Sequence, residues 1–141
     1  MKCTIDHIGI AVGSLSEALA FYRDQLGLEV EIPEEVPSQR VRAQFVRPDG
    51  AEPGAPGVAL ELLEASAQDS PIARYVARRG PGIHHIALRV PDLLSALAQL
   101  RARGVRLIDE APRAGAHGAL VAFIHPSSTH GVLVELIQAR T

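Results

Sequence analysis

The sequence predicts an α+β fold in which two tandem βαβββ units form a curved mixed sheet around a metal site. Three observations carry that reading. Asp6-His7-Ile8-Gly9-Ile10-Ala11-Val12 returns as His84-His85-Ile86-Ala87-Leu88-Arg89-Val90, so His85 follows His7 by 78 positions. Val58-Ala59-Leu60-Glu61-Leu62-Leu63-Glu64-Ala65 returns as Val132-Leu133-Val134-Glu135-Leu136-Ile137-Gln138-Ala139, and Glu135 follows Glu61 by 74. After the first strand of each copy comes an amphipathic run with its own cap. Two copies make a duplicated domain rather than a solenoid. The chain is expected to be one domain, 1–141, with a first unit at about 3–65, a linking helix at about 69–80 and a second unit at about 82–139.

The elements follow in order. An alternating strand runs from about Thr4 to Val12. Ser14-Leu15-Ser16-Glu17 has the form of a capping box, and Leu15, Ala18, Leu19, Tyr22 and Leu26 then keep helical spacing until Gly27 stops the helix. Leu28–Ile32, Val41–Arg47 and Val58–Leu63 read as strands, with an exposed, Pro/Gly-punctuated hairpin loop at 48–57. Ser70 caps the linking helix, Pro71 occupies its first turn, and Gly80-Pro81-Gly82 ends it. The second unit repeats the pattern. It has a strand at Ile83–Val90, Asp92 as N-cap, a helix with Leu93, Leu97 and Leu100 on one face, and Gly104 as its stop. Strands follow near Val105–Ile108, Ala119–Ile124 and Val132–Ile137.

Bulk properties remove several function classes. A length of 141 residues with 47% hydrophobic content suffices for one real core, and a net charge of −2 gives no electrostatic reason to expect nucleic acid or an anionic membrane as partner. No apolar run approaches the ~20 residues of a membrane span. One cysteine, Cys3, forms no internal disulfide, and the chain start lacks a secretory h-region; both suit the reducing cytoplasm.

Strand alternation places the repeated residues. Ile8, Ile10 and Val12 share the face that a helix needs, so His7 projects to the other face with Gly9 and Ala11. By the same rule His85 lies on the face of Ala87, and His84 on the helix side. The small neighbours leave room for a ligand. Two imidazoles and two carboxylates, from His7, Glu61, His85 and Glu135, suit one divalent ion: cobalt first, with manganese, nickel, zinc or magnesium also compatible. Four protein ligands on a six-coordinate ion leave two positions for substrate oxygens, and such an ion stabilises the oxyanion formed on proton removal beside a carbonyl. The other histidines read more plainly. His84 is structural, Gly115-Ala116-His117-Gly118 is a turn whose backbone donors can hold an anion, and His125 and His130 sit at a strand end and a hairpin. Arg42, Arg47, Arg78 and Arg79 read as solvated surface.

These residues resemble the vicinal oxygen chelate (glyoxalase) superfamily and, within it, the methylmalonyl-CoA epimerase family over nearly the whole chain. The stretches that carry the resemblance are Ile5 to Val12, Glu61 to Glu64, Asp69 to Ala73, Gly82 to Ala87, Gly115 to Gly118, Phe123 to Pro126 and Gly131 to Leu136. The resemblance implies interconversion of the C2 epimers of an acyl-CoA, with the thioester and carboxylate oxygens of the substrate chelated by metal. It implies His7, Glu61, His85 and Glu135 as ligands, Gly115, His117 and Gly118 as substrate contacts, and a homodimer. Where several family members carry a glutamate this chain has Ala43, which moves no proton; Glu135 and, by symmetry, Glu61 are then the expected acid/base pair. Relatives often carry Gln at Glu61 and Lys at the place of Ser127-Ser128, which alters the charge of the site and of the CoA-phosphate contact. Two other activities share the fold. A bacterial-type glyoxalase I uses the same ligand types, and an antibiotic-sequestering protein uses the cleft without chemistry.

Overall fold

The computed structural model describes residues 1–52 and 55–140. Pro53 and Gly54, inside the expected 48–57 loop, and Thr141 lie outside the described residues. The chain forms two compact units, His7–His84 and Met1–Asp6 with His85 onward.

In the unit His7–His84, β1 (Thr4–Ala11) is followed by α1 (Leu15–Leu19), β2 (Glu29–Val30), β3 (Glu34–Val36), β4 (Val41–Arg47), β5 (Ala59–Ala65) and α2 (Pro71–Arg79). The strand order is β2-β4-β5-β1, with β3 also on β4. β1 pairs parallel with β5, and β4 pairs antiparallel with it, so the sheet is mixed. Of the strand expected at Leu28–Ile32 only Glu29–Val30 forms, as β2, and β3 is an additional strand beyond it. Both β2 and β3 pair with β4, and Pro33, which donates no ladder bond, stands between them. Ile10 and Leu60 pack with Val12, Leu15, Leu19, Val46 and Leu62 in the helix-side core, as strand alternation requires.

The other unit repeats this plan. β6 (Gly82–Arg89), α3 (Leu93–Ala102), β7 (Arg113–Ala114), β8 (Leu120–Ile124) and β9 (Val134–Gln138) follow in sequence, in the order β6-β9-β8-β7. β6 is parallel to β9, and β8 antiparallel. The strand expected at Val105–Ile108 is reduced to a single bridge, Leu107 to Ile124, and the pairing resumes at β7. Edge pieces of two or three residues are too short to show an alternation, which is why the sequence conceals them. Leu88, Val90, Leu93, Leu97 and Leu136 form the helix-side core here.

The caps are the expected ones. The Glu17 N–H donates to Ser14 Oγ, the Ile72 N–H to Ser70 Oγ and the Ser95 N–H to Asp92 Oδ1. The first helix differs from expectation beyond Leu19. Residues Ala20–Gln25 widen into a π turn, with the Leu26 N–H reaching back to the Phe21 carbonyl at 2.9 Å. Phe21 and Leu26 are exposed. Arg47 also departs from its expected place on the surface. It is 7% exposed and pairs with Glu31 at 2.9 Å. No helix of the described residues is long and apolar enough to cross a membrane.

One tie is duplicated. The N–H of Leu15 donates to Glu64 Oε2, and that of Leu93 to Gln138 Oε1, each at 2.8 Å. In both units the last strand thereby satisfies an otherwise orphaned donor in the first turn of the helix. Glu64→Ala is expected to lower the unfolding free energy by about 1–2 kcal/mol, and Glu64→Gln to restore most of it. Chemical denaturation of the two variants reads the difference directly.

Candidate metal centre

Each unit places one histidine and one glutamate side by side in a dry setting. His7 is 1% exposed and Glu61 6%; His85 is 2% exposed and Glu135 3%. The pairing of strands explains the placement. In the first pair Gly9 of β1 and Phe45 of β4 flank Glu61. In the second, Ala87 of β6 and Phe123 of β8 flank Glu135. A small residue on one side gives the carboxylate room, and an aromatic ring on the other walls it.

The contacts match from unit to unit. His7 Nε2 is 3.3 Å from Glu61 Oε1, and His85 Nε2 is 3.8 Å from Glu135 Oε2. Two ligand atoms each about 2.1 Å from one ion, at a right angle, stand about 3 Å apart. The His7–Glu61 spacing fits that, and the His85–Glu135 pair needs only a small contraction. Each imidazole is also met edge-on by a phenylalanine. His7 and Phe45 have ring centres 5.4 Å apart, His85 and Phe123 5.7 Å, both inclined at 88°. These contacts fix the plane of each ring without using its nitrogens. The two phenylalanines escaped the sequence reading, although their separation of 78 positions equals that of the histidines.

His7, His85 and Glu135 constitute a buried His/His/Glu donor set able to hold a single divalent metal ion. Buried carboxylates and imidazoles in apolar strands are costly unless a partner compensates them, and a divalent ion does so while leaving the site near neutral.

The remaining expected contacts cluster in one turn. Ala116–Gly118 is a single 3₁₀ turn in which His117 and Gly118 both have positive φ, 58° and 68°. The Gly115 N–H is taken by the Ala119 carbonyl, and a Cβ at Gly115 would stand 2.8 Å from Val121 Cγ1. Gly115 is therefore a packing requirement of the turn. The exposed His117 and Gly118 are the members of the motif that can face a ligand. Around the other histidines, His84 stacks edge-on against Tyr75 at 5.0 Å, and His125 Nδ1 accepts the Ser127 N–H at 3.0 Å. Both have local structural roles.

Comparison with known proteins agrees with the fold. A family model described as the Glyoxalase/Bleomycin resistance protein/Dioxygenase superfamily matches residues 6–123. The uncharacterised protein YqjC of Bacillus subtilis is 42% identical over 136 residues, which cover 96% of this chain and 92% of that protein. The ethylmalonyl-CoA/methylmalonyl-CoA epimerase of Cereibacter sphaeroides is 38% identical over 136 residues, 95% of this chain and 96% of the enzyme. A solved methylmalonyl-CoA epimerase in complex with methylmalonyl-CoA and NH4+ superposes with a TM-score of 0.91 at 35% identity, covering 100% of this chain and 97% of that one.

Phe45→Leu and Phe123→Leu are each expected to weaken cobalt binding by up to about tenfold, since an edge-to-face ring contact contributes about 0.5–1.5 kcal/mol. Calorimetric titration of the metal-free protein measures it. Equal affinity in both variants and the unaltered chain would remove the orienting role of the rings.

Proposed function

We propose that this chain, which belongs to the Glyoxalase/Bleomycin resistance protein/Dioxygenase superfamily, interconverts the two C2 epimers of methylmalonyl-CoA. Its sequence and structure match methylmalonyl-CoA epimerases closely, and the observation that carries the reading is the whole-chain likeness to one that holds this substrate. The buried donor set His7, His85 and Glu135 suits a metal-dependent epimerase acting on an acyl-CoA. Glu61, beside His7, completes the proposed four-ligand set.

A divalent ion held by these residues would supply a Lewis acid for the thioester oxygen. The chain supplies the remainder. Glu61 and Glu135 are the members of the set that can accept or return the C2 proton. Phe45 and Phe123 keep water from the carboxylates and so strengthen every electrostatic interaction in the site. His117 and Gly118 are proposed to contact the substrate from the turn between β7 and β8. A homodimer and a reducing cytoplasmic setting, the latter in keeping with the single exposed Cys3, belong to the same proposal.

Proton NMR of methylmalonyl-CoA in D2O tests the reading. With cobalt-loaded protein the C2 proton signal should vanish far faster than with EDTA-treated protein. Glu135→Gln should slow the exchange by about 100-fold or more. A metal-loaded protein that leaves the C2 proton in place would end the epimerase reading, and isomerisation of a glutathione hemithioacetal would then become the assay to run.

A further inference from the structure

Epimerisation needs a proton-transfer group on each side of C2. A carboxylate bound to a divalent ion loses basicity to the ion's charge, and both Glu61 and Glu135 carry that handicap in the four-ligand set. A carboxylate on the same sheet face but away from the ion is better suited to one of the two roles.

The register of the His7–His84 unit contains one. Glu34 of β3 lies directly opposite Ala43 of β4. Ala43 lies opposite Leu63, and Phe45, two residues on, opposite Glu61. Directly opposed residues of an antiparallel pair project to one face, as do residues two apart on a strand. Glu34 therefore shares its face with Ala43, Phe45 and Glu61, and through the Gly9–Glu61 and Ala59–His7 pairs with His7. Burial along β3 agrees. Glu34 is half-buried and Val36 buried, whereas Glu35 between them is exposed and meets Arg42 at 3.7 Å on the outer side. Ala43 offers only a methyl group at this point of the face, so a side chain from β3 can lean across it.

The second unit shows which way this register position faces. Arg113 of β7 lies opposite Val121 of β8, 78 positions beyond Ala43, and so occupies the register position of Glu34. Its guanidinium stands 5.4 Å from the centre of the Phe123 ring, the ring that meets His85. The position thus lies on the face of the phenylalanine and of the histidine beside it.

We propose that Glu34 is the second acid/base group of the reaction, exchanging a proton with C2 on the side that Glu135 does not serve, while Glu61 stays a ligand. This rests on the epimerase reading above. One carboxylate takes the C2 proton, and the electron pair of the broken C–H bond passes into the thioester as an enolate. The carboxylic acid on the opposite side then returns a proton to C2, so that no other reactant is consumed.

The test uses each C2 epimer separately, in D2O, with metal-loaded protein. Glu34→Gln is expected to keep its metal and to slow interconversion by about 100-fold or more. One epimer should still exchange its C2 proton with retention, and the other should become inert. Glu35→Gln, altered on the outer side of the same strand, should behave as the unaltered chain. Unchanged interconversion in Glu34→Gln would overturn the proposal. So would equal loss of exchange for both epimers, or an equal loss in Glu35→Gln, which would point to damage of β3. If the unaltered, metal-loaded chain exchanges neither epimer, the epimerase reading itself falls; if it exchanges both while Glu34→Gln epimerises normally, only Glu34 is displaced.

Discussion

Burial of a histidine beside a glutamate, once in each unit, is the constraint on which the rest of the structure depends. Each pair is almost wholly withdrawn from water, in strands otherwise built of aliphatic residues. Such groups are tolerated when their charge is compensated and their orientation held. The neighbouring strands do the holding. A glycine or alanine admits the carboxylate, a phenylalanine closes it in, and the same phenylalanine sets the plane of the imidazole. Farther out, the helix of each unit is pinned to the last strand through Glu64 or Gln138, three residues beyond the buried glutamate. The precision of the site is thus built outward from the strand that bears the glutamate.

Duplication explains both the economy of this design and where it breaks. Two copies provide equivalent pairs, yet the copies differ at the register position that holds Glu34 in one and Arg113 in the other. One unit therefore presents a further carboxylate on its site face, and the other a cation that packs on its phenylalanine. Such divergence is what a reaction with an anionic substrate and a proton to move asks of two halves that began alike. Relatives that share the fold at 35–42% identity include an enzyme solved with methylmalonyl-CoA bound, so the chemistry proposed for this chain asks for no feature foreign to its family.

Much of this was legible in the residues alone because the signals were redundant. The repeat exposed the four candidate ligands, and alternation along β1 and β6 set Ile10, Val12, Leu88 and Val90 on the helix side, where they pack. Caps at Ser14, Ser70 and Asp92 located the three helices. What stayed hidden had physical reasons. Strand pieces as short as β3 and β7 carry no period, so neither was expected, and the register that sets Glu34 opposite Ala43 stayed hidden with β3. Arg47 resembles surface by type, and only its pairing with Glu31 across two strands buries it. The π turn after Leu19 replaces i→i+4 bonds by i→i+5 ones without changing the apolar spacing that marks a helix. The roles of Phe45 and Phe123 depend on cross-strand neighbours, which a single sequence does not display.

The central claim is that the two pairs serve one ion. X-ray absorption at the cobalt edge of loaded protein, together with a metal count, addresses it directly. One cobalt per chain is expected, with two imidazole nitrogens in its coordination sphere, and a single one after His7→Ala or His85→Ala. Two cobalt ions per chain, or one ion with a single imidazole that only one of these substitutions removes, would contradict it.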